Sequence, residues 1–241
     1  MYTFLEIKEK CRRKDYLKNN SLHWFSSRFS IYFSYVFINL GLSADFVTFI
    51  FFIIGFAGAL LFSFNSFCCF LIGYLLYRLH IIIDMSDGDV ARFNKSYSVR
   101  GVYWDSVIHS VLNPLYYISC CFSFYFYSEN EQFLFIAPFL GLSSSLLMSV
   151  KNNYDKALFK NNAENVVLDN KIKNNLKFKI FNFISEIVSI EGFLFFTLLI
   201  QYFQISNFML LFIYIYLVLN IIVSLVKFLL LSYKGHYPKR N

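Results

Sequence analysis

Residues 84–109 read DMSDGDVARFNKSYSVRGVYWDSVIH, a charged stretch flanked by apolar runs. Asp84, Asp87, Gly88, Ala91, Arg92, Gly101 and Asp105 fall at the spacing D-x2-D-G-x2-A-R-x8-G-x3-D, and His109 follows after three residues. Carboxylates at the edge of long apolar segments are expensive, and they persist where they hold a cation or a partner. Asp84, Asp87 and Ala91 stand at i, i+3 and i+7, on one helix face, and Asp105 and His109, at i and i+4, share a face of the next helix. The axial separations Asp84 to Asp87 and Asp105 to His109 are about 4.5 and 6 Å at ~1.5 Å per residue. The turn 93–100 is short, so the two helices are expected to be antiparallel neighbours whose ligand faces meet across a cleft. Gly88 removes a Cβ where a ligand or helix must come close, and Ala91 does so in part. Arg92 offers a planar fork to phosphate oxygens.

The rest of the chain is apolar. It is 57% hydrophobic and 22% aromatic, with 15% charged residues. Soluble domains carry about 25% charged residues, so the composition predicts a membrane protein. The first residues, MYTFLEIKEKCRRK, lack the apolar core and cleavage site of a secretory signal, which reads as a mature polytopic chain. Cys11, Cys68, Cys69, Cys120 and Cys121 show neither metal-ligand spacing nor a disulfide framework, and are expected to pack; a Cys69–Cys121 bridge is the alternative. The net charge of +7 comes from basic residues flanking apolar spans. That placement predicts anionic lipid headgroups and phosphorylated substrates as partners, and no nucleic acid.

A spanning helix needs roughly 20 apolar residues. Six stretches qualify: 46–64, 67–92, 101–127, 133–150, 186–204 and 207–231. The expected fold is therefore all-α, polytopic, with six transmembrane helices and an N-terminal amphipathic interfacial helix. In residues 22–41, Trp24, Phe25, Phe29, Tyr32, Phe33 and Phe37 leave Ser26, Ser27, Arg28, Ser30 and Ser34 on other faces, as in a helix lying in the headgroup plane. The expected division is a juxtamembrane segment 1–45, a catalytic domain 46–233 with a loop 151–185, and a tail 234–241. The Asn- and Lys-rich part of that loop, 151–180, reads as a solvated basic connector or as a lip that collects an anionic substrate.

Lys and Arg set the orientation. The turns 64–67, 127–132 and 203–207 have none, whereas the N-terminus, residues 151–180 and the tail are rich in them. The positive-inside rule puts these basic segments, both termini and the turn 93–100 on the cytoplasmic side. The acidic constellation then opens to the cytosol. The expected location is the membrane itself, the plasma membrane if the chain is bacterial.

Oxygen-rich ligation on Asp84, Asp87 and Asp105, with His109, suits divalent ions such as Mg²⁺ or Mn²⁺. Two such ions on a pyrophosphate would neutralise charge in phosphoryl transfer. The bland alternative is an intramembrane salt-bridge network with Arg78, His80 and Arg92. His80, four residues before Asp84, either pairs with it or snorkels, or orients it as a supporting group. Glu186 and Glu191 read as helix-start carboxylates, or Glu191 as a partner for polyol hydroxyls. Lys227 snorkels or meets an acceptor phosphate, and His236 and Tyr237 read as interface anchors.

The run 84–109 resembles the signature of the CDP-alcohol phosphatidyltransferases, membrane enzymes whose pattern ends in a fourth Asp. Seven of its eight specified residues match, and His109 stands at the last. GLSADFVTF (41–49) is similar to the family's segment opening the first span, with Thr48 matching and Asp45 where Asn is usual. RFSIYF (28–33) is similar to the opening of members that make phosphodiester-linked polyols or inositol lipids. The resemblance covers roughly residues 28–115. It implies that Asp84 and Asp105 bridge two metals, that Asp87 binds the first, and that His109 binds the second and accepts a proton. It also implies that Gly88, Arg92 and Ser98 contact a CDP-linked donor, with Ala91, Gly101, Asp45 and Thr48 at the same site. The implied reaction is attack of an acceptor hydroxyl on the donor's β-phosphorus with release of CMP, in a homodimer. A histidine at the last position favours borderline metals such as Mn²⁺ or Zn²⁺ over Mg²⁺ and has an ordinary pKa suited to a base.

The expected function is thus a metal-dependent membrane transferase moving a phosphatidyl or substituted phospho-alcohol group from a CDP-alcohol, with CDP-diacylglycerol as the first candidate, to an alcohol acceptor. The alternatives are a soluble CDP-polyol or CDP-amino-alcohol donor with a lipid acceptor, a divalent-cation transporter, and a non-catalytic paralogue. A transporter would usually carry its ligands at the bilayer midplane on repeated, broken helices. No repeat is visible here.

Overall fold

The apolar runs fold as helices, and where a helix stops the residues that stop it are identifiable. The computed structural model describes residues 2–11, 21–96, 98–160 and 187–235. Among these the regular elements are α1 Phe4–Cys11, α2 Ser21–Asn39, α3 Ala44–Leu61, α4 Phe67–Phe93, α5 Val99–Ser128, α6 Gln132–Lys160, α7 Ile190–Phe203 and α8 Ser206–Gly235. Five of them, α3, α4, α5, α6 and α8, contain stretches long and apolar enough to cross a membrane. The chain is all-α and polytopic.

Two expected boundaries move. The span expected at 186–204 is α7, whose 14 residues reach about 21 Å at 1.5 Å per residue, short of a hydrocarbon core of ~30 Å. Ser189 stands at its N-cap and Gln204, in the left-handed conformation, ends it. Helix α6 continues past residue 150 to Lys160 and takes in the start of the basic segment expected as a loop. The remainder of that segment, 161–186 with Glu186, and the end of the tail with His236 and Tyr237, lie outside the described residues.

The chain forms two compact units, Met1–Leu112 and Asn113–Asn241, which divide within α5. Residues on both sides of position 45 belong to the first unit, where α1 and α2 pack on α4. In the first unit α3 and α4 run antiparallel. Phe62 meets Phe70 near their connecting turn, Phe51 meets His80 midway, and Thr48 meets Asp87 at the far end. Gly58 and Gly73 allow this approach, since a Cβ at Gly73 would lie 3.1 Å from the Gly58 carbonyl oxygen.

The serine-bearing face of α2 is turned inward, with Phe37 of the aromatic set also buried. Ser26, Ser30 and Ser34, one turn apart, are buried, while Phe29 and Tyr32 are exposed. Ser26 accepts a hydrogen bond from Arg78 (3.0 Å), the Ser30 carbonyl accepts one from Ser86 (2.9 Å), and the Ser34 hydroxyl lies 2.9 Å from Asp89. The partners advance along both chains in the same sense, so α2 runs alongside α4 over this stretch. Without water to drive apolar faces together, small residues that let backbones approach make the better helix interface. The side chains of Trp24, Phe25 and Ser27 lie outside the described set. Helix α2 ends where Gly41, at φ +70°, lets Leu42 N–H reach the Phe37 carbonyl and Gly41 N–H that of Ile38, a Schellman closure.

In the second unit the core is aromatic. Tyr117 lies 4.4 Å from Phe193 between ring centroids, and Phe193 stacks on Phe212 and meets Tyr216 edge-on. The Tyr216 hydroxyl donates to the Ile187 carbonyl (2.8 Å) just before α7. Glu191, in the first turn of α7, is buried. All five cysteines are free; Cys120 and Cys121 pack in this core.

Candidate functional site

The site lies within the first unit and is built by the starts of α3 and α5 and the end of α4. Ser43 caps α3 by accepting from Phe46 N–H, and this fixes the first turn so that Thr48 faces α4. The Thr48 hydroxyl lies 2.8 Å from an Asp87 oxygen and 3.0 Å from its own Ala44 carbonyl. Helix α4 ends in a second Schellman closure, with Ser96 N–H on the Ala91 carbonyl and Lys95 N–H on that of Arg92. Lys95 is left-handed at φ 51°. After this tight reversal Ser98 caps α5, its hydroxyl accepting from Gly101 N–H at 2.9 Å.

These termini enclose a cavity of about 300 Å³. Gly88, Ala91, Arg92, Ser98, Gly101, Asp45 and Thr48, the seven positions expected to meet a nucleotide-linked donor, all line it. So do Asp87 and Asp105. Asp45 sits at an exposed edge, 3.9 Å from Arg100, a separation and exposure at which an ion pair contributes little. The first N–H groups of a helix offer a dipole and donors to an anion; α5 begins at this wall.

Asp84, Asp105 and His109 come together beside the cavity. Their ligand atoms lie within 4.8 Å of one another. His109 Nε2 is 3.5 Å from an Asp84 oxygen and 3.3 Å from Asp105 Oδ1. Asp105 Oδ1 is sealed from solvent and makes no hydrogen bond. A buried acceptor without a donor is costly, and a divalent cation would satisfy it; two carboxylates and an imidazole are an accepted donor set for one. The residues therefore fit a metal. Asp87, expected as a fourth ligand, is not part of this group and is bound instead by Thr48, on the cavity wall that it shares with Asp105. His109 presents one nitrogen to both carboxylates. A single lone pair either ligates a cation or takes a proton.

His109 is held by its neighbours. Its ring stacks on Phe51 at 6.0 Å and meets His80 edge-on at 5.6 Å. His80 does not pair with Asp84 in the expected way: its Nδ1 lies 2.9 Å from the Phe51 carbonyl oxygen. A neutral His80 thus carries its proton on Nδ1. Gly55, one turn beyond Phe51, makes this possible. A Cβ there would lie 2.8 Å from His80 Nδ1 and 2.6 Å from a Leu112 methyl. Gly55→Ala is therefore expected to destabilise the protein by about 1–3 kcal/mol, as overpacking does, read as a lowered thermal midpoint in detergent. A midpoint equal to the wild type would contradict this packing.

Asp89 falls between the specified positions of the 84–109 pattern. It is 2% exposed and pairs with Arg92 at 2.5 Å, so Arg92 is not a simple cation at the cavity mouth. The i, i+3 spacing of Asp89 and Arg92 was the available signal. Arg92 Nε also donates to the Cys11 carbonyl at 2.9 Å. Burial pushes the Cys11 thiol up to about 11, so the thiol stays neutral and packs while its carbonyl does the bonding. Ser96 is a further lining residue with no distinguishing sequence signal.

No model of a known protein family matches the chain, and no curated protein matches it.

Proposed function

We propose that this protein is an integral-membrane transferase that moves a phosphatidyl group from a CDP-alcohol to an acceptor hydroxyl and releases CMP. One observation carries the proposal: the seven residues read as donor contacts line a single cavity, with Asp87 and Asp105, beside the Asp84–Asp105–His109 cluster. A polyanionic, nucleotide-linked group suits that combination of acidic residues, a guanidinium and a helix start.

In this reading Asp84, Asp105 and His109 hold one divalent ion, Mg²⁺ or Mn²⁺, and Asp87 is the carboxylate at hand for a second. Bound metal would neutralise the pyrophosphate and make CMP a better leaving group. Arg92 and the first N–H groups of α5 bind phosphate oxygens. Gly88 and Gly101 leave room for the donor. The acceptor oxygen forms a bond to the β-phosphorus, the bond from that phosphorus to the bridging oxygen breaks, and CMP leaves. With Asp105 Oδ1 and the single His109 nitrogen on the cation, the acceptor's proton passes to the second oxygen of Asp105. CDP-diacylglycerol is the proposed donor, with the cavity and the N-terminal segment on the cytoplasmic side and the chain paired as a homodimer.

The test is CMP release from cytidine-labelled CDP-diacylglycerol by the full-length protein in membranes, with soluble CDP-alcohols and a lipid acceptor in parallel. Metal-dependent release from CDP-diacylglycerol, abolished by chelation and restored by Mn²⁺ or Mg²⁺, is expected. Release confined to a soluble CDP-alcohol would reverse donor and acceptor classes. No release with any donor would contradict the transferase.

A further inference from the structure

Asp89 is a buried carboxylate that the reaction as described does not use. It lies on α4 between the cavity-lining Gly88 and Arg92, and it reaches two other elements. One oxygen lies 2.9 Å from the Ser34 hydroxyl of α2, and the other is 2.5 Å from Arg92 Nη2. The same guanidinium donates through Nε to the backbone carbonyl of Cys11, the last residue of α1. Its remaining edge lies over Gly88, where a Cβ would stand 3.4 Å from Arg92 Nη1. Arg92 is thus fixed from three sides and still lines the cavity.

We propose that Asp89 is a positioning residue: anchored on Ser34, and together with the Cys11 carbonyl, it holds the Arg92 fork in place for the phosphates of the nucleotide-linked donor. The proposal rests on the transferase reading. A lone arginine at a cavity mouth has many rotamers, and each must be given up when an anion binds. Here that ordering is complete before the ligand arrives, which is how preorganisation raises affinity. The carboxylate also opposes binding, since it offsets the guanidinium's charge. The two effects have opposite signs, so the experiment decides between them.

The measurement is CDP affinity, with Mn²⁺ present, of the full-length protein in nanodiscs across a cycle of Asp89→Asn, Arg92→Lys and the double variant. Asp89→Asn is expected to weaken CDP binding about tenfold, the scale of one misplaced charge-assisted hydrogen bond. In the Arg92→Lys background the same change should have less than about a twofold effect, because the cycle isolates what passes through Arg92. Asp89→Glu should recover part of the loss. Equal losses in both backgrounds would mean a general structural role and overturn the proposal, and tighter binding by Asp89→Asn would show that charge offset dominates and overturn it too. If Asp89→Asn does not yield folded protein, Ser34→Ala releases the anchor without leaving a charge unpaired; a loss of about two- to fivefold, a partial share of that hydrogen-bond scale, is expected, and none would overturn the proposal. Failure of the wild type to bind CDP would reject the transferase reading itself, a result distinct from binding that ignores Asp89.

Discussion

Replacing His109 by alanine is expected to lower metal-dependent CMP release by about 10²-fold or more, since loss of even a supporting group at a metal site costs ~10–100-fold. The residue's Nε2 faces two carboxylates at 3.3 and 3.5 Å, and alanine leaves no nitrogen there to ligate the cation. The ring also stacks on Phe51, so the variant must be checked for folding before its rate is read. His109→Asp separates chemistry from packing. It restores an oxygen donor and is expected to retain activity while moving the preferred metal from Mn²⁺ toward Mg²⁺, since carboxylates suit the harder ion. Full activity in the alanine variant would remove His109 from the mechanism.

The second large effect concerns metal affinity. Asp105→Asn keeps the shape of the side chain and removes its charge. In the metal-free protein the change weakens the contact of Asp105 Oδ1 with His109 Nε2 at 3.3 Å. The loaded protein loses a ligand. Mn²⁺ affinity, followed by titration of the full-length protein, is expected to fall by at least the ~10–100-fold seen when only supporting groups of a metal site are lost. Asp87→Asn should weaken binding of the first equivalent far less, because Asp87 stands outside the three-residue group and is bonded to Thr48. Equal affinities for the wild type and Asp105→Asn would place the metal elsewhere.

The elements carrying the site were legible because their signal is periodic and local. The spacing of Asp84, Asp87, Asp105 and His109 predicted two adjoining helices, and α4 and α5 bring three of those four into one group. Most of the cavity wall was legible as residues, though not as a volume; Ala44, Ser96 and Val102 were not. What escaped was tertiary. His80 stands four residues before Asp84, which suggested a pair within one helix; instead Gly55 lets α3 close in, and His80 turns to the Phe51 carbonyl. Asp87 looked equivalent to its neighbours until Thr48, on another helix, claimed it. The serines of α2 read as a surface because polar residues usually face water, yet in an apolar solvent a small hydroxyl that bonds its own backbone is a good contact. Ser34 lies within reach of two acceptors, the Ser30 carbonyl at 2.8 Å and Asp89 at 2.9 Å, and its single proton is shared between them. Asp89 was overlooked because it falls between the specified positions of a familiar pattern, although its spacing to Arg92 was in plain view.

The most direct test of the account is pulsed electron paramagnetic resonance of Mn²⁺ bound to the full-length protein in nanodiscs. The Asp84–Asp105–His109 group predicts bound Mn²⁺ with electron-spin coupling to one directly ligated imidazole nitrogen. In His109→Asp that nitrogen coupling should vanish while Mn²⁺ stays bound. Absence of bound Mn²⁺, or a nitrogen coupling that survives His109→Asp, would contradict a metal held by these three side chains.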